Sequence, residues 1–210
     1  MGVKQRFTIV LLVRHGLTPT TGVVLPGRAA GLHLADEGRR QAEAAARRVA
    51  QLRRVAAIYS SPLERARETA AAIGRARQLP VRVERDLVDL DVGAWTGLRL
   101  SRLRRKREWR AVQTHPSGFR FPDGESFLEM QARVTAALDR LVAQHRGATI
   151  VAVSHADPIK AALAHALGVP LDLFQRIMIA PASVSAIAYG AETPRVLTVN
   201  STDGARAFGR

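Results

Sequence analysis

The stretch TIVLLVRHGLTPT, residues 8–20, opens as an unbroken apolar run and ends by setting an arginine beside a histidine. Ile9 to Val13 contain no polar interruption. That is the pattern of a strand buried on both faces, and hence of the parallel sheet of an α/β domain. Open α/β sheets bind ligands just beyond the carboxyl ends of their strands. Arg14, His15 and Gly16 are therefore expected in such a crevice, where a paired Arg and His would meet a ligand.

Working outward, residues 20–34 carry three glycines and a proline and read as a loop. Asp36 is the expected N-cap of a helix over about 37–53, whose Ala42, Ala45, Ala46, Val49 and Leu52 share one face. VAAIYS (55–60) reads as a second buried strand, and Ser61 and Pro62 as the N-cap and first position of the next helix. Residues 81–97 read as a strand running into an irregular loop around Trp95. Residues 99–111 read as a basic helix, 114–124 as loop, and 125–145 as a long amphipathic helix starting near Gly124 or Ser126. ATIVAVSH (148–155) repeats the opening design, an apolar strand ending at a histidine. Asp157 and Pro158 begin another helix, and 183–190 and 195–200 supply late strands. The alternation predicts a three-layer α/β sandwich with a mostly parallel central sheet and helices on both faces. A single domain over 1–210 is expected, with a basic helical and loop insert around 98–125 capping the site.

The net charge of +14 is compatible with nucleic acid, an anionic surface or an anionic small substrate. Of the 32 basic residues only Lys4, Lys106 and Lys160 are lysines, leaving 29 arginines. Together with heavy alanine use, that skew is also what a GC-rich genome produces. No aromatic-interleaved basic platform is present, so nucleic-acid binding is expected to be salt-sensitive and indifferent to sequence. No apolar run approaches the ~20 residues needed to span a bilayer. With no secretory pattern and no cysteine, a cytoplasmic protein without membrane attachment is expected.

If the strands ending at His15 and His155 are neighbours, the two imidazoles converge. Arg65, on the first turn after the second strand, reaches the same crevice as Arg14, and helix N-termini near Pro62 and Pro158 add N–H donors. His33, His115, His145 and His165 have no such placement and read as satisfied polar side chains. Two arginines and two histidines describe a pocket for a tetrahedral oxyanion, because guanidinium groups bind phosphate bidentately. The sequence has no Walker-type glycine loop and no carboxylates at metal-ligand spacing. The chemistry would fall to histidine as nucleophile, with no metal and no cofactor.

These residues resemble the histidine phosphatases, the phosphoglycerate mutase-like superfamily, over roughly residues 8–200. The resemblance rests on Arg14-His15-Gly16 with Thr18, on Gly27-Arg28, and on Ser61-Pro62-Leu63 with Arg65 and Thr69-Ala70. It continues with Gly93-Ala94-Trp95-Thr96-Gly97 and with Ser154-His155. It implies that His15 is a nucleophile that becomes phosphohistidine, and that Arg14, Arg65 and His155 complete the phosphate pocket with Thr18 and Arg28 at its edge. The usual glutamate proton donor is replaced by Asp89, with Asp91 two residues on. Thr21 and Leu17 stand where many members carry asparagine and glutamate.

The implied activity is a metal-independent phosphomonoesterase acting on a small phosphorylated metabolite, with inorganic phosphate or sulfate expected in the pocket. The alternatives are a cofactor-dependent phosphomutase and, further off, a non-catalytic binding module. Three points stay open: a dimer as one option for assembly; Asp89 or Asp91 as the acid, since both would share a face if 87–91 is extended; and a solvated face or a substrate lid for the seven basic residues among the twelve from Arg99 to Arg110.

Overall fold

The computed structural model describes residues 7–202. The two ends of the expected 1–210 domain, with Lys4 and the start of the chain where a secretory pattern would stand, lie outside the described residues.

The central strands are β1 (Thr8–Arg14) and β4 (Thr149–Ser154), paired in parallel. β4 pairs in parallel with β2 (Ala57–Ser60), and β2 with the short β3 (Val81–Val83). On the other side of β1, β5 (Val184–Tyr189) runs antiparallel to it, and β6 (Arg195–Ser201) runs antiparallel to β5. The six-stranded order is β3-β2-β4-β1-β5-β6. The sheet is mostly parallel, as expected, but carries an antiparallel part. The link of residues 190–194 explains the turn-back at the edge, since a parallel connection needs a dozen or more residues.

β1 alternates its side chains between two cores. Val10 and Leu12 join Met130, Val134, Leu138 and Ile159 of α5 (Phe127–Gln144) and α6 (Ala156–Leu167). Leu11 and Val13 join Ala42, Ala45 and Ile73 of α1 (Asp36–Ala50) and α2 (Glu64–Arg77). Helices therefore cover both faces. The uninterrupted apolar run follows from that double burial, which stabilises by about 1.5–3 kcal/mol per Val or Leu side chain.

Several boundaries differ from the sequence expectation. Ala35, not Asp36, is the N-cap of α1; Asp36 is its first residue, its charge favourable at the positive end of the helix dipole, and α1 stops at Ala50. α2 starts at Glu64 behind Leu63, because Ser61 and Pro62 remain outside the helix. The basic stretch forms two helices, α3 (Leu100–Leu103) and α4 (Arg107–Thr114). Leu103 and Trp109 both pack on the Trp95 core, yet in one continuous helix six positions set side chains about 120° apart. The break brings both to the same core. α5 begins at Ser126 with a full capping box to Glu129, within the expected start. No described helix is long and apolar enough to cross a membrane.

The loop after β1 is held against α1 by a glycine pair. A Cβ on Gly16 would lie 2.3 Å from the Gly38 carbonyl oxygen, and one on Gly38 would lie 1.9 Å from that of Leu17. The contact is flanked by Ala35 N–H donating to Leu17 O at 3.0 Å and Leu17 N–H donating to Gln41 Oε1 at 3.0 Å. Both clashing atoms are backbone, which cannot step aside as a flexible side chain can. Gly38→Ala is therefore expected to destabilise by about 1–3 kcal/mol. Urea denaturation followed by circular dichroism checks this, and an unchanged midpoint would show that the backbone there yields freely.

Candidate active site

The β1–β4 register sets Arg14 opposite Ser154. Pairing continues one step beyond the ladder, with His15 N–H donating to Ser154 O at 3.0 Å. His15 and His155 consequently stand side by side, ring centroids 5.1 Å apart and planes tilted by 59°. His15 Nδ1 lies 2.7 Å from Gly16 O. A carbonyl only accepts, so Nδ1 holds the proton and Nε2 keeps the lone pair. His155 Nε2 lies 2.7 Å from Ser61 Oγ, which also accepts from Leu63 N–H at 3.3 Å. With that oxygen donating its own hydrogen to Nε2, His155 Nδ1 carries a proton. Burial, reinforced by the neighbouring arginines, holds both imidazoles well below the ordinary value of 6.5; His155 adds to the effect on His15. Both are neutral at neutral pH.

Arg65 extends from the first turn of α2 and is wholly buried. Its Nη2 donates to Gly27 O at 2.8 Å and to Asp89 Oδ2 at 3.1 Å. One turn on, Thr69 Oγ1 donates to Arg65 O and accepts from Gly16 N–H, tying the His15 loop to α2. Arg14 Nη1 donates to Ile179 O at 2.6 Å. Four buried nitrogens here have no hydrogen-bond partner among the described residues: Arg14 Nε, Arg65 Nε, Arg65 Nη1 and His155 Nδ1. Arg65 meets the carboxylate of Asp89, and Arg14 lies in the fields of both Asp89 and Asp157. Desolvated cations with spare donors are costly unless an anion completes them.

Arg14, His15, Thr18 and Asp89 line a cavity of about 480 Å³, with Arg65 and His155 packed behind them. Thr18 bonds through its hydroxyl and its N–H to Thr21 Oγ1, and Thr21 also lines the cavity. Arg28 is placed differently from the expectation of a phosphate-edge residue and is absent from the cavity lining. Its guanidinium is taken up by Asp89 O, Asp91 and Glu125. The anticipated shared face of Asp89 and Asp91 does not form either. Residues 88–91 are irregular rather than extended, so strand alternation does not apply. Asp89 Oδ2 faces Arg65 and lies 3.5 Å from His155 Nδ1, whereas Asp91 turns to Arg28 and Gly93 N–H.

Three residues near the site carry no site role in the sequence alone. Ser61 read as a helix cap but serves His155, and its position directly after a buried strand was the available signal. Lys160 and Asp157, one turn apart on α6, line the mouth. Of the seven basic residues in 99–110, Arg104 alone lines the cavity.

A buried, neutral histidine pair beside two arginines at the strand ends of this sheet is what the resemblance to the histidine phosphatases implied. The model of the histidine phosphatase superfamily (branch 1) matches residues 10–202, and the chain belongs to that superfamily. It is similar to a bifunctional protein of Mycobacterium tuberculosis, 36% identical over 203 residues, covering 96% of this chain and 56% of that protein. The chain thus spans little more than half the length of that relative. It is also similar to phosphoserine phosphatase 1 of Hydrogenobacter thermophilus, 31% identical over 198 residues and 92% of each chain. The solved structure of a mycobacterial glucosyl-3-phosphoglycerate phosphatase matches with a TM-score of 0.84 at 26% identity, over 93% of this chain and 100% of that one. That phosphatase has also been solved with inorganic phosphate, where the TM-score is 0.81 at 26% identity over 92% and 97% of the two chains.

The buried imidazoles set a stability profile. Their folded pKa lies below the unfolded value of 6.5, so below that pH the unfolded chain binds more protons. The contribution is whole above pH 6.5 and is lost as pH falls toward the depressed values. Stability should drop by about 1–2 kcal/mol between pH 6.5 and 5.5, and by less in His15→Gln. Urea denaturation at the two pH values measures this; an equal drop in both proteins would mean that His15 charges in the folded state.

Proposed function

We propose that the protein is a phosphomonoesterase that works through a phosphohistidine on His15 and needs no metal for the step. Residues 7–202 act as one domain in this reading, with 98–125 as a cap over the cavity. The observation that carries it is the set of four unpaired buried N–H donors beside an imidazole whose Nε2 is free. Together they complement the equatorial oxygens of a phosphoryl group next to a neutral nucleophile. A neutral imidazole avoids the repulsion that an anionic nucleophile meets at a phosphate dianion, and the guanidiniums take up transition-state charge. The phosphatase names and the phosphate-bound form of the similar proteins support the same reading.

Asp89 Oδ2 stands between Arg65 Nη2 and His155 Nδ1. A substrate oxygen taking that place keeps both contacts and turns the carboxyl group toward the leaving oxygen. His15 Nε2 then forms the N–P bond as the ester P–O bond breaks, and the proton that an ester monoanion brings to Asp89 goes on to the departing alkoxide. In the second half Asp89 takes a proton from water as its oxygen attacks phosphorus. The N–P bond breaks, releasing inorganic phosphate and restoring the neutral imidazole. The non-phosphate part of the substrate lies along Val24, Leu25, Pro26 and Leu100, a short apolar wall fitting a small metabolite, with Arg104 and Lys160 at the mouth.

Mixing with p-nitrophenyl phosphate and trapping without acid should yield a phosphorylated His15 by mass spectrometry, in the presence of EDTA. His15→Ala should abolish turnover, and near-normal turnover in that variant would end the proposal. General acid catalysis is worth about 10²–10⁴-fold, so Asp89→Asn should lose at least about 10²-fold in kcat/KM on an alkyl phosphate. It should lose far less on p-nitrophenyl phosphate, whose leaving group needs little protonation.

Arg104→Ala should raise KM several-fold for substrates bearing a second anionic group and leave p-nitrophenyl phosphate unchanged, with the difference shrinking in salt. Arg105→Ala and Arg107→Ala, outside the cavity, should do neither. Equal KM values across all three variants would return the whole stretch to a solvated face.

A further inference from the structure

We infer that Arg133 and Glu125, with Arg28, are positioning residues for proton transfer, holding the segment 86–91 by its backbone so that Asp89 stays within reach of the leaving oxygen. The inference rests on the reading of Asp89 as the proton donor.

Arg133 reaches in from α5, mostly buried, and its five N–H groups meet five acceptors. Nη1 donates to Asp86 O at 2.7 Å and Val88 O at 2.8 Å, and Nη2 to Asp89 O at 2.9 Å and Glu125 Oε1 at 2.6 Å. Nε donates to Glu125 Oε2 at 3.0 Å. Arg28 approaches the same carbonyl, its Nε donating to Asp89 O at 3.0 Å while Nη2 donates to Glu125 Oε2 at 2.9 Å. Glu125 Oε1 also accepts from Asp91 N–H at 3.1 Å. The carbonyl of Asp89 is thereby held by two guanidinium groups, and one carboxylate locks both of them in place.

Residues 88–91 have no strand partner, so these bonds do what a sheet ladder does elsewhere. They restrain the backbone of Asp89 without engaging its carboxylate, whose own hydrogen bonds come from Leu90 N–H and Arg65, which suits a group that must leave Arg65 and turn to the substrate. None of the three residues lines the cavity. Their effect on the reaction therefore passes through Asp89. A lysine at 133 keeps the charge but has no planar fork to span three carbonyls and a carboxylate.

The experiment measures kcat/KM for Arg133→Ala, Arg133→Lys and Glu125→Gln on an alkyl phosphate and on p-nitrophenyl phosphate, alone and combined with Asp89→Asn. Displacement of a catalytic group by about 1 Å costs on the order of 10²-fold, so Arg133→Ala should lose about 10–100-fold on the alkyl ester and less than about threefold on the aryl ester. Arg133→Lys should fail to restore the alkyl rate. Glu125→Gln, nearly isosteric, should show the same split to a smaller degree, and it serves if Arg133→Ala does not fold. In the Asp89→Asn background none of the three substitutions should cost anything further on the alkyl ester. Equal losses on both esters, or additive losses in that background, overturn the inference while leaving Asp89 as the donor. An Asp89→Asn variant without leaving-group dependence overturns both.

Discussion

The parallel pairing of β1 with β4, in the register that sets Arg14 opposite Ser154, is the constraint from which the site follows. It aligns two strand ends so that the next residue on each is a histidine, and it carries one further backbone hydrogen bond across to hold them level. Strand side chains have a period of two, so a slip of one residue would send one imidazole to the opposite face of the sheet. The register is secured by burial on both faces: Val10 and Leu12 belong to one core, Leu11 and Val13 to the other. The glycine pair and the Thr69 hydroxyl then fasten the His15 loop to α1 and α2.

Around this centre the charges form two tiers of different character. In the inner tier Arg14 and Arg65, near Asp89 and Asp157, retain N–H donors without a hydrogen-bond partner. In the outer tier Arg28, Arg133, Glu125 and Asp91 satisfy one another and the backbone. Buried ion pairs contribute little net stability, because desolvation offsets attraction, but they are strongly directional. The outer tier thus supplies geometry, and the inner tier supplies spare donors suited to an anion.

Much of this was legible in the sequence where one residue's neighbours decide its structure. The apolar runs before His15 and His155 marked buried strands, and Arg14, His15, Arg65, Asp89 and His155 do come together. What was not legible depended on partners far along the chain. Ser61 has the chemistry of a cap, and only the approach of a residue 94 positions away converts it into a histidine's partner. Arg28 sits in a loop aimed at the site, yet Glu125, 97 positions on, draws its guanidinium to the far side of the Asp89 segment. Asp89 and Asp91 share a face only in an extended 87–91, and the irregular backbone that parts them is bonded to Arg133, more than 40 positions on. The single basic helix failed for a related reason: helical periodicity within 99–111 gave no account of Leu103 and Trp109 sharing one core.

The unpaired donors of the inner tier also tie the protein's endurance to its surroundings. A ligand that binds only the folded chain adds stability in proportion to the logarithm of its concentration, about 2.7 kcal/mol at a hundredfold excess over Kd. Inorganic phosphate presents the same oxygens as the ester from which it is released. A pocket whose spare N–H groups suit those oxygens would, in the proposed reaction, hold the product as well as the substrate. On the proposed function, the feature that speeds bond cleavage also slows departure, so ambient phosphate would both steady the fold and compete for the nucleophile.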